Sequence, residues 1–378
     1  MNPDLATFLP ASCELLAFGE PAHSEPVFAR VRNELFDRLT GLGFRSIALE
    51  TDRVAALAVQ DFVHQGTGTL DAVLGEGFSH GFGDLEPNRA LVSWMREYNE
   101  TRPPEGKLAF HGFDTPTETM NAPSPRSYLE HARDYLGLDL DLAMLTGEDE
   151  RWSRTEAILD PAMSPGATPE AERLRTIADD LLTRLYARAP ELIAATSRTE
   201  WVRARTRLTG GLGLLRYHKQ SAEPLERDER ISRLSALRDA LMARNLLEIR
   251  ELEARRGPTL VFAHNLHLQR GPSHWELPEL RLTWFGAGSI GSSLLEDRYA
   301  FIAGSIGRSE ALGLDSPAAD TYEGALQTDA TWSLTRADAI PKSGTRSDIR
   351  PETGYFPLDP ATVDGADAVL HISDASRV

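Results

Sequence analysis

The chain has 378 residues, 41% apolar and 26% charged, the profile of a globular protein with one large domain or two smaller ones. Its 57 acidic residues against 40 basic ones give a net charge of −17, which argues against a surface built for nucleic-acid phosphates or anionic membranes. Cys13 is the only cysteine, so no internal disulfide can form, and it is expected as a small buried apolar side chain. No stretch approaches the ~18 consecutive apolar residues of a membrane span. The N-terminus also lacks the basic start of a signal peptide, so a cytoplasmic protein is expected.

In chain order, Glu14–Phe18 reads as a short buried strand. Val27, Val31, Leu35 and Leu39 then recur every four residues, which predicts a helix ending at Gly41 or Gly43. Ser46–Leu49 is a second strand ending at Glu50, and Asp52 is placed to cap a helix over Arg53–His64. Gly75–Asp84, "GEGFSHGFGD", reads as a mobile loop or a plain connection. A helix over Leu85–Asn99 and a strand over Lys107–Phe110 follow. This alternation predicts an α/β fold with a mostly parallel central sheet flanked by helices.

The pattern changes after Asp114. No strand is expected from Ser124 to Arg256, where Ala171–Arg188, Glu191–Leu208 and Glu226–Arg256 carry helical spacing, interrupted by the glycine cluster Gly210–Gly213. A large all-helical insertion is therefore predicted over 119–257, between two parts of the α/β core at 1–118 and 258–378. The sheet resumes at Thr259–Ala263, with further strands expected at Leu280–Phe285, Tyr299–Ile302 and Ala368–Ile372 and a loop-heavy segment over Asp315–Pro360.

Each core strand ends in ionisable residues: Glu20 and His23, Glu50 and Asp52, His111 and Asp114, His264 and His267. The carboxyl ends of parallel strands share one edge, where ligands bind. Pro21 and Pro26 stiffen the turn that carries Glu20 and His23, a pairing suited to a carboxylate-oriented general base. Arg32 lies one helical turn from both Phe28 and Phe36, which aims it inward. Glu20, His23, Arg32, Glu50 and His264 are thus the candidate catalytic residues. Phe78, His80, His111, Asp114 and His267 are the candidate substrate contacts. His64, His80, His131, His218, His274 and His371 have no evident partner in the sequence, and most are expected to be structural or solvent-facing. All of these candidates lie outside the helical insertion, which is expected to shape specificity rather than chemistry.

No phosphate-binding glycine motif and no H-E-x-x-H are present. Ser289 in "FGAGSIG", with Asp367 and His371, has the chain order of a serine triad, but Asp367 and His371 fall on one strand, which disfavours it.

"GEPAHSEPVFARVR", "FRSIALETD", "LAFHGFDTP" and "VFAHNLHLQR" resemble, in order and spacing, the motifs of the erythromycin esterase family, and the resemblance covers nearly the whole chain. It implies hydrolysis of a macrolactone or another ester by activated water, with His23 as base and Glu20, Glu50, Arg32, His264 and His267 at the family's motif positions. Ser24 and Phe262 stand where the family usually has glycine and tryptophan, so the chemistry is better supported than the substrate. No cofactor is expected. One alternative makes the same Glu and His residues ligands of a divalent metal. Another is a tailoring or ligand-binding protein of a natural-product pathway. The expected partner is a small-molecule ester or macrolactone, and the sequence leaves the oligomeric state open.

Overall fold

A computed structural model describes residues 8–118, 121–277, 279–350 and 353–378. Seven strands form the central sheet: β1 (Leu15–Glu20), β2 (Ser46–Asp52), β3 (Ala109–Asp114), β4 (Thr259–His264), β7 (Tyr299–Arg308), β8 (Ser333–Arg336) and β9 (Ala368–Asp374), in the order β3-β2-β4-β1-β7-β9-β8. All pairings are parallel except the edge pair β8–β9. The inner strands read as continuous apolar runs because both faces are covered. Leu16, Phe18, Ile47, Leu49, Leu260 and Phe262 face the helices Val27–Gly41, Ala56–Gln65 and Glu86–Glu100. Leu15, Ala17, Ala48, Val261 and Ala263 face the helix Arg227–Glu253 through Met242, Leu246 and Ile249.

The region after Asp114 is helical as expected, with its own buried cluster from Leu129 through Trp152, Leu174 and Leu181 to Leu215. The boundary predicted at residue 119 lies outside the described residues. Three expectations fail here. Gly210–Gly213 does not interrupt a helix but sits inside Arg198–Ser221, because the missing side chains let neighbouring helices approach. A Cβ on Gly211 would meet the Tyr128 side chain at 2.8 Å. The predicted helix Glu191–Leu208 is two helices, Ala189–Ala195 and Arg198–Ser221, since Ser197 is extended and caps the second through the N–H of Glu200. The helix expected from Arg53 begins at Ala56, and Asp52 accepts the Val54 N–H in the turn before it.

Leu280–Phe285 is a strand, β6, but it does not join the central sheet. It pairs with β5 (Pro272–Leu277), which the sequence reading missed, in an antiparallel hairpin. The next strand, β7, extends to Arg308 and absorbs the later "AGSIG". β3 continues four residues beyond its predicted end, to Asp114. Among the described residues, no helix is long and apolar enough to cross a membrane.

Candidate active site

The carboxyl edge of β1, β2, β3 and β4 carries the site. Glu20 and His264 are register partners on β1 and β4. Between β2 and β3 the register shifts between Leu49 and Asp52, an irregularity that re-aims Glu50. One Glu50 oxygen accepts the His264 backbone N–H at 2.9 Å. Its other oxygen lies 3.2 Å from Arg238, 3.3 Å from His267 and 3.8 Å from His23. These cations overcome the cost of burial and hold the Glu50 carboxyl down at about 2.

His23 lies in the loop after β1, between Pro21 and Pro26. His23 Nδ1 meets Glu20 at 2.8 Å, and the imidazole keeps 39% of its side chain exposed. Burial opposes the imidazolium, but Glu50 and Glu20 outweigh it and raise His23 to about 9. Burial also raises Glu20, against the pull of His23. His264 is the opposite case. It is buried, its Nδ1 accepts the Leu266 N–H at 3.2 Å, and burial beside positive His23 pushes it down to about 3. It is therefore neutral at pH 7, with its proton on Nε2. That Nε2 has no hydrogen-bond partner. The His23 and His264 ring centres are 5.1 Å apart.

The "HNLH" segment divides its work. Asn265 reaches across β1 to pair with both backbone groups of Gly304 on β7, at 2.9 and 3.1 Å. Gly19 makes room for it, since a Cβ there would sit 2.1 Å from the Asn265 Oδ1. His267 donates from Nδ1 to Asp239 at 2.8 Å. Burial lowers its pKa, but Asp239 and Glu50 raise it overall.

Asp239 and Arg238 come from the helix Arg227–Glu253, so the helical region does supply the site, contrary to expectation. Arg238 donates to Asp114 at 3.0 Å as well as to Glu50, and its Nη1 is 3.4 Å from His267. Asp239 is fully buried and also accepts the Trp284 indole N–H at 2.7 Å and the Ala287 N–H at 2.8 Å. The sequence held a signal for Arg238: Leu234, Arg238, Leu241 and Asn245 share one helical stripe, and the two leucines and Asn245 are buried.

His80 does have partners: Asp114 at 3.0 Å and Glu118 at 2.7 Å. The Gly75–Asp84 segment begins as the end of the helix Leu70–Gly77 and is pinned by Ser79, whose N–H donates to Thr51 Oγ1 at 2.7 Å. Phe78, with Phe82, lines a small pocket beside Glu20, His23, Glu50 and Arg32. Arg32 is buried, donates to Asn33 at 2.7 and 3.1 Å, and lies over the Phe262 ring at 4.8 Å. Burial lowers its pKa to about 9. His111 is not brought to the cluster. It bonds Glu253 at 2.9 Å, at the far end of the helix that carries Arg238.

The donors suit a metal poorly. Glu50 and Asp114 already share Arg238, and Glu20 is taken by His23. Among the described residues no group of three His, Cys, Asp or Glu side chains is arranged to hold a metal ion.

Fold and site together define an α/β protein with a carboxylate–imidazole centre at the carboxyl edge of its sheet. The erythromycin esterase family model matches residues 40–369. The chain belongs to the erythromycin esterase family, and the activity class this membership supports is hydrolysis. The match begins after Glu20, His23 and Arg32, whose placement rests on the geometry above. No curated protein sequence matches the chain. Among solved structures, a Bacillus cereus protein superposes with a TM-score of 0.69 at 16% identity, covering 98% of this chain and 90% of that one. A succinoglycan biosynthesis protein gives 0.68 at 16% identity over 98% and 90%. A mutant of the erythromycin esterase EreC in its open conformation gives 0.67 at 20% identity over 97% and 92%. At these identities the likeness is one of fold.

Proposed function

We propose that the protein hydrolyses an ester or lactone by activating water between His23 and His264, without a serine nucleophile. The observation that carries this reading is the opposed surroundings of two imidazoles whose ring centres are 5.1 Å apart. His23 is held by two carboxylates, while His264 stays neutral with an unpartnered Nε2–H. Pairs of groups whose environments push their pKa values apart mark acid and base roles.

Once His23 loses its extra proton, Nδ1–H stays on Glu20 and Nε2 becomes the acceptor. Water loses a proton to that nitrogen as its oxygen attacks the ester carbonyl. The His264 Nε2–H donates a hydrogen bond to the developing oxyanion. The imidazolium of His23 then returns the proton to the leaving alkoxide, so the products are an alcohol and a carboxylic acid, which releases its own proton to solvent at neutral pH. Arg238 does not touch the reacting atoms in this scheme. Its single positive charge offsets one of the two negative charges on Glu50 and Asp114.

The experiment is hydrolysis of a panel of macrolactones and simple esters by the purified protein, with His23→Asn and His264→Ala measured alongside. Turnover lost in both variants supports the scheme. A folded wild-type protein that turns over no ester or lactone in the panel, while binding them, returns the alternative of a ligand-binding or tailoring role.

A further inference from the structure

Six rings touch in succession across the carboxyl edge: His80, Phe82, His23, His264, Phe356 and Trp275. Their centroids are 5.6, 5.2, 5.1, 4.9 and 6.0 Å apart. The two middle imidazoles are the proposed reacting groups. Phe356 and Trp275 continue the chain beyond His264, and the mechanism above does not use them. Trp275, on the β5–β6 hairpin, remains 38% exposed. One exposed aromatic is ordinary. The way Phe356 is held is not.

Phe356 lies on a segment fixed by a fully buried carboxylate. Glu323 is 0% exposed, and one of its oxygens accepts both the Tyr355 O–H at 2.9 Å and the Leu358 N–H at 2.8 Å. Those two residues bracket Phe356. The Phe356 N–H in turn donates to the Pro21 carbonyl at 2.9 Å, inside the loop that carries Glu20 and His23. A buried carboxylate is costly unless it is well bonded; burial raises the Glu323 pKa, and its second oxygen has no hydrogen-bond partner among the described residues. Here its bonds fix an aromatic ring edge-on against His264, with an interplanar angle of 80°.

We propose that Phe356, backed by Trp275, is the wall that receives a neutral apolar body attached to the scissile ester, and that Glu323 is the residue that positions it. Aromatic faces gain chiefly by covering apolar surface, and a cation over an exposed ring adds only a small further attraction. Glu50 and Asp239, the buried carboxylates beside His267, are already bonded to cations or N–H donors, so neither is left to pair with a cationic body. Naming the body as part of an ester rests on the hydrolysis reading; its binding does not.

The probe is p-nitrophenyl octyl ether, which carries an apolar chain and a quenching ring but cannot be hydrolysed. Titration of the full chain is followed by tryptophan fluorescence. The wild type is expected to bind with quenching, and Trp275→Phe to lose most of that signal. Phe356→Ala should weaken binding by about tenfold or more, the loss of one buried aromatic contact. Glu323→Ala should weaken it comparably, and adding Glu323→Ala to Phe356→Ala should change little, because a positioning residue acts only through what it positions. Glu323→Gln keeps an oxygen acceptor and should stay within about threefold of wild type. Should Glu323→Ala not fold, Phe356→Ala and Trp275→Phe decide the matter. No binding of the ether by wild type, or binding by Phe356→Ala within about twofold, overturns the proposal. Absence of ester turnover alone would instead count against the hydrolysis reading.

Discussion

His23 Nδ1 lies 2.8 Å from Glu20 while its Nε2 lies 3.8 Å from Glu50, so one imidazole is clamped between two carboxylates. That clamp raises His23 to about 9, above the usual value near 6.5. Two pH effects of opposite sign follow. A raised folded-state pKa contributes stability that is complete below about 6.5 and lost as pH rises through about 9. A base must be unprotonated, so kcat/KM should climb through the same window. Glu20→Gln should move the rate limb towards lower pH. A limb that stays near 6.5 in wild type would show that the carboxylates do not hold the imidazolium.

Arg238 bridges Glu50, Asp114 and His267 from the helix Arg227–Glu253. Replacing it with Met leaves two buried carboxylates without their shared cation. Removing one partner of a buried ionic group typically costs about 3–5 kcal/mol. Arg238 keeps 22% of its side chain exposed, which points to the lower end of that range. Chemical denaturation of Arg238→Met should show a loss of that order, and turnover should fall with it. A loss below about 1 kcal/mol, the scale of a surface pair, would mean that solvent already screens the cluster.

The same residue marks what the sequence made legible. Alternating short apolar runs and helices identified the parallel sheet, and the ionisable strand ends pointed to the edge where the candidate residues gather, because parallel strands put their carboxyl ends together. Glu20, His23, Glu50, His264 and His267 were readable for that reason. Arg238 and Asp239 were missed, because they sit in the middle of a helix rather than at a strand end, and arginines abound in that segment. Phe356 and Trp275 lie on a loop and a hairpin, where no periodicity announces which face meets the site. The hairpin itself was half seen, since Pro272 and His274 obscure the first of its strands.

Specificity should still track the helical region, but only when its site residues are kept. Exchanging 126–226 with a relative's segment leaves Arg238 and Asp239 in place and should change which ester is preferred, not abolish turnover. Carrying the exchange through 245 onto a relative lacking Arg238 should abolish it. An unchanged substrate range in the first chimera, folded and active, would sink the assignment.

Ser305 and His371 do form a Ser–His contact, at 3.0 Å, but both side chains are fully buried between β7 and β9. Burial pushes His371 down to about 3, which makes it a poor base. Ser289 starts a helix, and the proposed triad partner His371 is engaged elsewhere. A fluorophosphonate probe should therefore label no serine, and Ser289→Ala and Ser305→Ala should each retain turnover within a few-fold of wild type. Stoichiometric labelling at either position would restore a covalent mechanism.

His23→Asn is the most direct test of the base. Asparagine is of similar size and can still reach Glu20, so the loop held by Pro21 and Pro26 should keep its path and substrate binding should barely change. What is lost is a proton acceptor in the transition state. A positioned general base contributes about 10²–10⁴ in rate, so kcat should fall by that factor with KM nearly constant. The pH limb near 9 should vanish from the residual rate, because the group that titrates there is gone. Single-turnover measurement separates this from slow product release. If the chemical step of folded His23→Asn ran within about threefold of wild type, far short of the general-base contribution, the base would have to be sought at Glu20, whose carboxyl is also raised by burial.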